Sequence, residues 1–365
     1  MLNGIDVLLL KKSHFIKDIP LAIFTSYNMY DCNGERVIDN FFNPNYNLKY
    51  IIEPSFGFFI NKDENLTEYN KIPILPAFSE ETYKKLLKVK VILFDIQNYG
   101  VKNTDVIKAL YEIIEFINGK DIQLYILDRP NPINGNIFDG IIGQYSRINI
   151  PLRHGLTIGE IGLFLQEELF REAKINVIKM EGYNREKFLD DIKPVFEFQF
   201  PDIKDYNAFF LYPGFHLLEG TNLSIGIGTE KSYSVFGAPW IDSDNVFDQI
   251  IYLGMEGFEM ETCEFIPENG VYSNKLCKGI QFKVINKELL NSIELFLNII
   301  EICYNTFGEF EFVMNNRDNY VIDELFSDDR IRKSLERYIP LSEVYYKAMK
   351  TLDEYTGKRE KLLLY

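Results

Sequence analysis

Four carboxylates stand where apolar runs of the chain end: Glu53 after LKYII, Asp95 after VILF, Asp128 after LYIL and Glu219 after FHLL. Carboxyl groups so placed can give or take protons, provided burial or a like charge raises the acid's pKa. The alternative for each is a carboxylate that accepts local amide hydrogen bonds and holds a turn. Asp128 and Arg129 run into Pro130-Asn131-Pro132. A buried strand holds an Asp-Arg pair mid-sheet only at a cost, so these charges belong at the strand's exit. The two prolines fix that exit as a loop. Open parallel sheets bind ligands at such carboxyl ends; pinning the loop to its neighbours is the competing role. Glu219 is followed by Gly220-Thr221-Asn222, which offer close backbone approach and hydrogen bonds. Glu160 has a structural explanation, because Thr157-Ile158-Gly159-Glu160 reads as a capping box.

The elements that must position these groups follow an alternating rhythm. Apolar runs at Leu21 to Asn28, Leu48 to Gly57, Val91 to Gly100 and Leu124 to Gly135 each end in polar residues. Helical spacing over Val106 to Asn118, with Gly119 as the stop, lies between the last two. Strand, helix, strand in this order predicts an α/β fold with a parallel sheet, whose polar ends gather on one edge. A helix from Thr157 to about Phe170 and a strand over Ile175 to Met180 continue it. In Asn207 to Gly228 an apolar strand is expected to meet Pro213-Gly214, and a second run to end at Glu219 to Asn222. Strand-like Gly279 to Ile285 and a helix over Leu289 to Tyr304 predict a smaller α+β domain, giving domains 1–208 and 209–365.

Composition narrows the function. The chain of 365 residues carries a net charge of −15, which argues against nucleic acid and anionic membrane surfaces as partners. Cys32, Cys263, Cys277 and Cys303 are too scattered for a disulfide framework, and three separated histidines make no metal site. Gly226-x-Gly228 is followed by Lys231 rather than a third glycine, so nucleotide binding is rejected. The opening MLNGIDVLLLKK has the wrong charge order for a signal peptide, and no run is long enough to span a membrane. A cytoplasmic protein is expected; the oligomeric state is open.

DRPNP, RHGLTIGE, YPG, EGTN and GAPW together resemble the NamZ-type exo-β-N-acetylmuramidases. The resemblance runs from Gly4-Ile5-Asp6 through Asp95-Ile96-Gln97, Asp128 to Pro132, His154-Gly155, Glu219 to Asn222 and Gly237 to Trp240 to the closing Arg359 to Tyr365. It implies a Rossmann-like N-terminal domain, a smaller C-terminal domain and a muramic-acid-containing saccharide as ligand. It also implies removal of terminal N-acetylmuramic acid from peptidoglycan fragments without a redox cofactor. Glu219 and Asp128 then become the catalytic candidates, with Asp95, Gln97, Arg129, Asn131, His154 and Asn222 as sugar-binding candidates. His154 equally suits a bond to a loop carbonyl, and Trp240 a packed turn.

Three departures stand against this pattern. Pro54-Ser55-Phe56-Gly57-Phe58 replaces the family's Pro-Glu-His-Gly-Phe, removing a glutamate that is a leading catalytic candidate. Asn98 to Thr104 replaces a stretch that begins with aspartate and carries an arginine, and Ile227 replaces the arginine of Gly-Arg-Gly. Glu53 keeps the strand face of the lost glutamate but sits roughly 7 Å away along a strand. Three readings follow: a glycosidase with another group in the glutamate's place, a non-catalytic saccharide-binding or scaffold relative, or an α/β enzyme sharing only the fold. A compensating carboxylate within reach of Ser55 would favour the first.

Overall fold

The computed structural model describes residues 1–55, 57–58, 67–77, 79–193 and 202–365. It divides into two compact units, one formed by Met1–Phe138, His154–Phe200 and Thr356–Tyr365, the other by Asp139–Arg153 and Pro201–Tyr355.

The first unit is built on a seven-stranded sheet in the order β3-β4-β2-β1-β5-β6-β7. Its strands are β1 (Pro20–Phe24), β2 (Asn47–Glu53), β3 (Glu68–Tyr69), β4 (Ile72–Pro76), β5 (Val91–Phe94), β6 (Gln123–Leu127) and β7 (Lys174–Ile178). All neighbours are parallel except β3, which runs antiparallel to β4. The central strands are unbroken apolar runs because helices cover both faces of such a sheet; all four residues of β5 are buried. The helix Asp105–Ile117 turns Val106, Ile107, Leu110, Ile113, Ile114 and Ile117 inward. Side chains so buried contribute on the order of 2 kcal/mol each. Thr104 caps its start, and Gly119 leaves its end at φ +73°. The helix Ile158–Glu168 opens with the expected reciprocal capping box between Thr157 and Glu160.

The parallel α/β architecture read from the alternation is therefore present, and the polar ends of β2, β5 and β6 share one edge. Because β2 and β5 flank β1, the residues after them rise on either side of it.

The second unit has a three-stranded antiparallel sheet in the order β8-β10-β9, from β8 (Val235–Ala238), β9 (Phe258–Phe265) and β10 (Cys277–Val284). Phe215, Phe236, Phe282 and Phe296 form an aromatic centre, with Phe215 and Phe296 4.3 Å apart and Phe236 stacked on Phe282 at 6.1 Å. The expected strand ahead of Pro213-Gly214 is wrong: Tyr206–Leu218 is an α-helix with Pro213 inside it. Every residue from Ala208 to Leu218 is buried. A helix enclosed on all sides shows no apolar stripe, so its sequence cannot be told from a buried strand by periodicity. Asp205 caps it by accepting from the Ala208 amide at 2.7 Å. Among the described residues no helix is long and apolar enough to cross a membrane.

Candidate active site

In the first unit the exit of β6 is a buried polar frame. Asp128 has no exposed surface. Its Oδ2 accepts from the Thr157 hydroxyl and the Tyr365 hydroxyl, each at 2.8 Å, and its Oδ1 from the Gly159 amide at 2.8 Å. Burial, then the nearby Glu160 charge, push its pKa up to about 7 against those hydrogen bonds. Glu160, also fully buried, receives Arg185 at 3.0 Å, the Thr157 amide at 2.9 Å and the Leu364 amide at 2.9 Å.

Arg129 closes a two-pronged ion pair on Asp95, from Nε at 2.8 Å and Nη2 at 2.9 Å. Burial raises the Asp95 pKa while Arg129 opposes it. Gln97 donates to the Asn98 carbonyl at 2.7 Å and the Pro130 carbonyl at 2.8 Å. Asn131 donates to the Leu156 carbonyl at 2.9 Å and accepts from the Ile133 amide at 3.1 Å. His154, wholly buried, accepts from the Leu156 amide on Nδ1 at 3.1 Å, so Nε2 carries the proton and donates to Asn98 Oδ1 at 3.0 Å. Together with Asp128, these five residues hold the loops after β5 and β6 to each other and to the start of the helix Ile158–Glu168.

Nearer solvent, β2 ends at Glu53, whose Oε2 accepts from the Phe58 amide at 3.0 Å. Ser55 is exposed, and its Oγ donates to Oδ2 of Asp105, the exposed first residue of the helix after β5. The motif position that lacks its glutamate therefore holds a hydroxyl bonded to a carboxylate. Asp105 escaped the sequence reading because an acidic residue behind a Thr cap looks like ordinary helix-dipole chemistry. Phe56 of the same motif lies outside the described residues.

In the second unit Glu219 follows directly on the helix Tyr206–Leu218, its side chain 33% exposed. Oε1 accepts from the Tyr233 hydroxyl at 2.9 Å and lies 3.1 Å from His216 Nδ1. Burial works against the charge, yet His216 and the Tyr233 hydroxyl together hold the carboxyl below its ordinary value. His216 shows no pattern in the sequence; only the fold reveals it, one turn before Glu219 on the same helix face. Asn222 donates to the Glu309 carbonyl at 2.7 Å and accepts from the Glu311 amide at 3.0 Å. Trp240 donates to the Tyr272 hydroxyl at 2.7 Å. Among the described residues no group of three His, Cys, Asp or Glu side chains is placed to hold a metal ion.

Two family models match the chain: exo-beta-N-acetylmuramidase NamZ, N-terminal, over residues 21–207, and the C-terminal part over residues 210–365. Peptidoglycan beta-N-acetylmuramidase NamZ of Bacillus subtilis is 26% identical over 385 aligned positions, which cover 100% of this chain and 91% of that protein. A DUF1343 family protein of Bacteroides fragilis has the same fold at a TM-score of 0.90 and 21% identity, over 100% of this chain and 98% of that one. A second from the same organism aligns with a TM-score of 0.74 at 24% identity, over the same shares of the two chains.

Proposed function

The chain belongs to the exo-beta-N-acetylmuramidase NamZ family, and on that premise we propose that it is a glycoside hydrolase that removes terminal N-acetylmuramic acid from peptidoglycan fragments. The observation that carries the reading is the Asp105 carboxylate on Ser55 Oγ. Glycoside cleavage uses two carboxyl groups, one to protonate the leaving oxygen and one as base or nucleophile. A glutamate at position 55 would carry its carboxyl two C–C bonds beyond Cβ, a reach of roughly 2.5 Å at about 1.5 Å per bond. The Asp105 oxygen on the serine hydroxyl lies about 1 Å further from Cβ than that carboxyl carbon, because the Cβ–Oγ bond precedes an O–H···O contact of roughly 2.7 Å, and so falls where the glutamate's own oxygens would reach. Asp105 therefore takes the motif glutamate's place as one of the two groups, with Ser55 holding it.

A second reading, a saccharide-binding relative without turnover, draws on one observation. Asp95, Gln97, Asp128, Arg129, Asn131 and His154 are all buried and bonded within the protein. Each of the six is thus already committed to a partner inside the protein. Release of a chromophore from a β-N-acetylmuramide by the purified protein decides between the readings. Turnover supports the hydrolase. A folded protein that binds muramic acid but releases nothing supports the binding relative, and neither turnover nor binding contradicts both.

A further inference from the structure

We propose that His216 and Tyr233 are positioning residues that hold the Glu219 side chain through Oε1, leaving its other oxygen to meet the positive charge developing on a sugar ring. The role rests on the hydrolase reading above.

Three features of the second unit carry it. Both contacts fall on one oxygen, the Tyr233 hydroxyl at 2.9 Å and His216 Nδ1 at 3.1 Å. A carboxylate that only held a turn would be expected to accept backbone amides, as Asp205 does from Ala208. Next, Tyr233 sits at φ +57°, a left-handed backbone that is costly for a bulky side chain. Strain of this kind, on the order of 1–3 kcal/mol, persists where surrounding structure over-determines it and clusters at functional sites. Here the strained residue delivers its hydroxyl to Glu219. Last, the group is enclosed by rings yet not sealed. Tyr212 packs 5.3 Å from both His216 and Tyr233, while the Glu219 side chain remains 33% exposed. A hydrogen bond in such surroundings is electrostatically stronger than one in water.

His216 and Tyr212 come from the helix that ends at Glu219, Tyr233 from the loop before β8, and Asp202 adds a negative charge felt by Tyr233. A carboxylate held this way suits an oxocarbenium-like transition state as an electrostatic partner, and it is a poor proton donor at neutral pH. Neither His216 nor Tyr233 touches substrate in this account; they act through Glu219.

The test is a carboxyl NMR titration of protein labelled with ¹³C at the glutamate side chains, with Glu219→Gln to assign the signal. Wild-type Glu219 should titrate below the ordinary glutamate range. Tyr233→Phe and His216→Gln should each move its midpoint up, by about half to one pH unit. On the chromogenic muramide, Tyr233→Phe should lower kcat about tenfold with KM unchanged and shift the acid limb of kcat/KM to higher pH. A Glu219 that titrates normally, or that neither variant moves, overturns the proposal, as does full turnover by Glu219→Gln. Tyr233→Phe keeps the ring and His216→Gln keeps a donor, so a melting curve separates misfolding of one variant from a true null in the other. Absence of wild-type turnover would contradict the hydrolase reading alone, because the titration still decides whether Glu219 is held charged.

Discussion

At the scale of single residues, the carboxylates of this chain have been sorted by where burial leaves them. Asp128 is sealed among Thr157, Gly159 and Tyr365 with its pKa pushed up to about 7. An acid whose folded pKa is raised binds more protons folded than unfolded, so its contribution is greatest at low pH and is lost as pH rises from about 4 through about 7. Stability measured by urea unfolding should therefore fall over that window, by up to roughly 4 kcal/mol from this group. Asp128→Asn should flatten the fall; an unchanged pH slope would contradict the assignment. The proposed working carboxylate of the first unit differs in kind, since Asp105 keeps contact with solvent. Glu160 was legible as a cap from Thr157-x-x-Glu160 alone. Asp105 was not, because its partner Ser55 lies 50 residues away in sequence, and only the β2 and β5 ends of the folded sheet bring the two together.

At the scale of elements, legibility followed amphipathicity. The helix Asp105–Ile117 has one buried face, so its spacing announced it, as the continuous apolar runs announced β1, β5 and β6. The helix Tyr206–Leu218 has no exposed face from Ala208 onward, so its pattern was lost and its proline read as a break. Close approaches between elements were invisible for another reason: a glycine does not say what will lie against it. A Cβ on Gly4 would stand 2.2 Å from the Asp128 amide nitrogen, a backbone atom that cannot step aside. A Cβ on Gly162 would meet the Ile126 Cδ1 at 2.2 Å, the far end of a side chain that can turn. Gly162 also lies inside a helix, where alanine gains about 1 kcal/mol. Gly4→Ala should thus destabilise strongly, by about 2 kcal/mol or more, and Gly162→Ala by much less. Thermal unfolding of the two variants checks this; equal losses would contradict it.

At the scale of the whole molecule, motifs spread from Gly4 to Tyr365 made the family visible, while their mutual bonds were not. The closing segment Thr356–Tyr365 belongs to the first unit, although the chain before it belongs to the second. Tyr365 donates to Asp128, the Leu364 amide to Glu160, and Arg359 to the Gly155 carbonyl at 3.1 Å. Deleting Leu364 and Tyr365 leaves two buried carboxylates each short of a donor, which costs about 1–3 kcal/mol apiece. The truncated protein should melt several degrees lower, and an unchanged melting point would show the tail to be ornamental. The central claim, that Asp105 on Ser55 replaces a lost glutamate, is tested most directly by chromophore release from a β-N-acetylmuramide. The comparison is between wild type, Asp105→Asn, and Asp105→Asn combined with Ser55→Glu. Wild type should turn over, Asp105→Asn should lose roughly 100-fold or more, and the double variant should recover. Wild-type turnover by Asp105→Asn would contradict it.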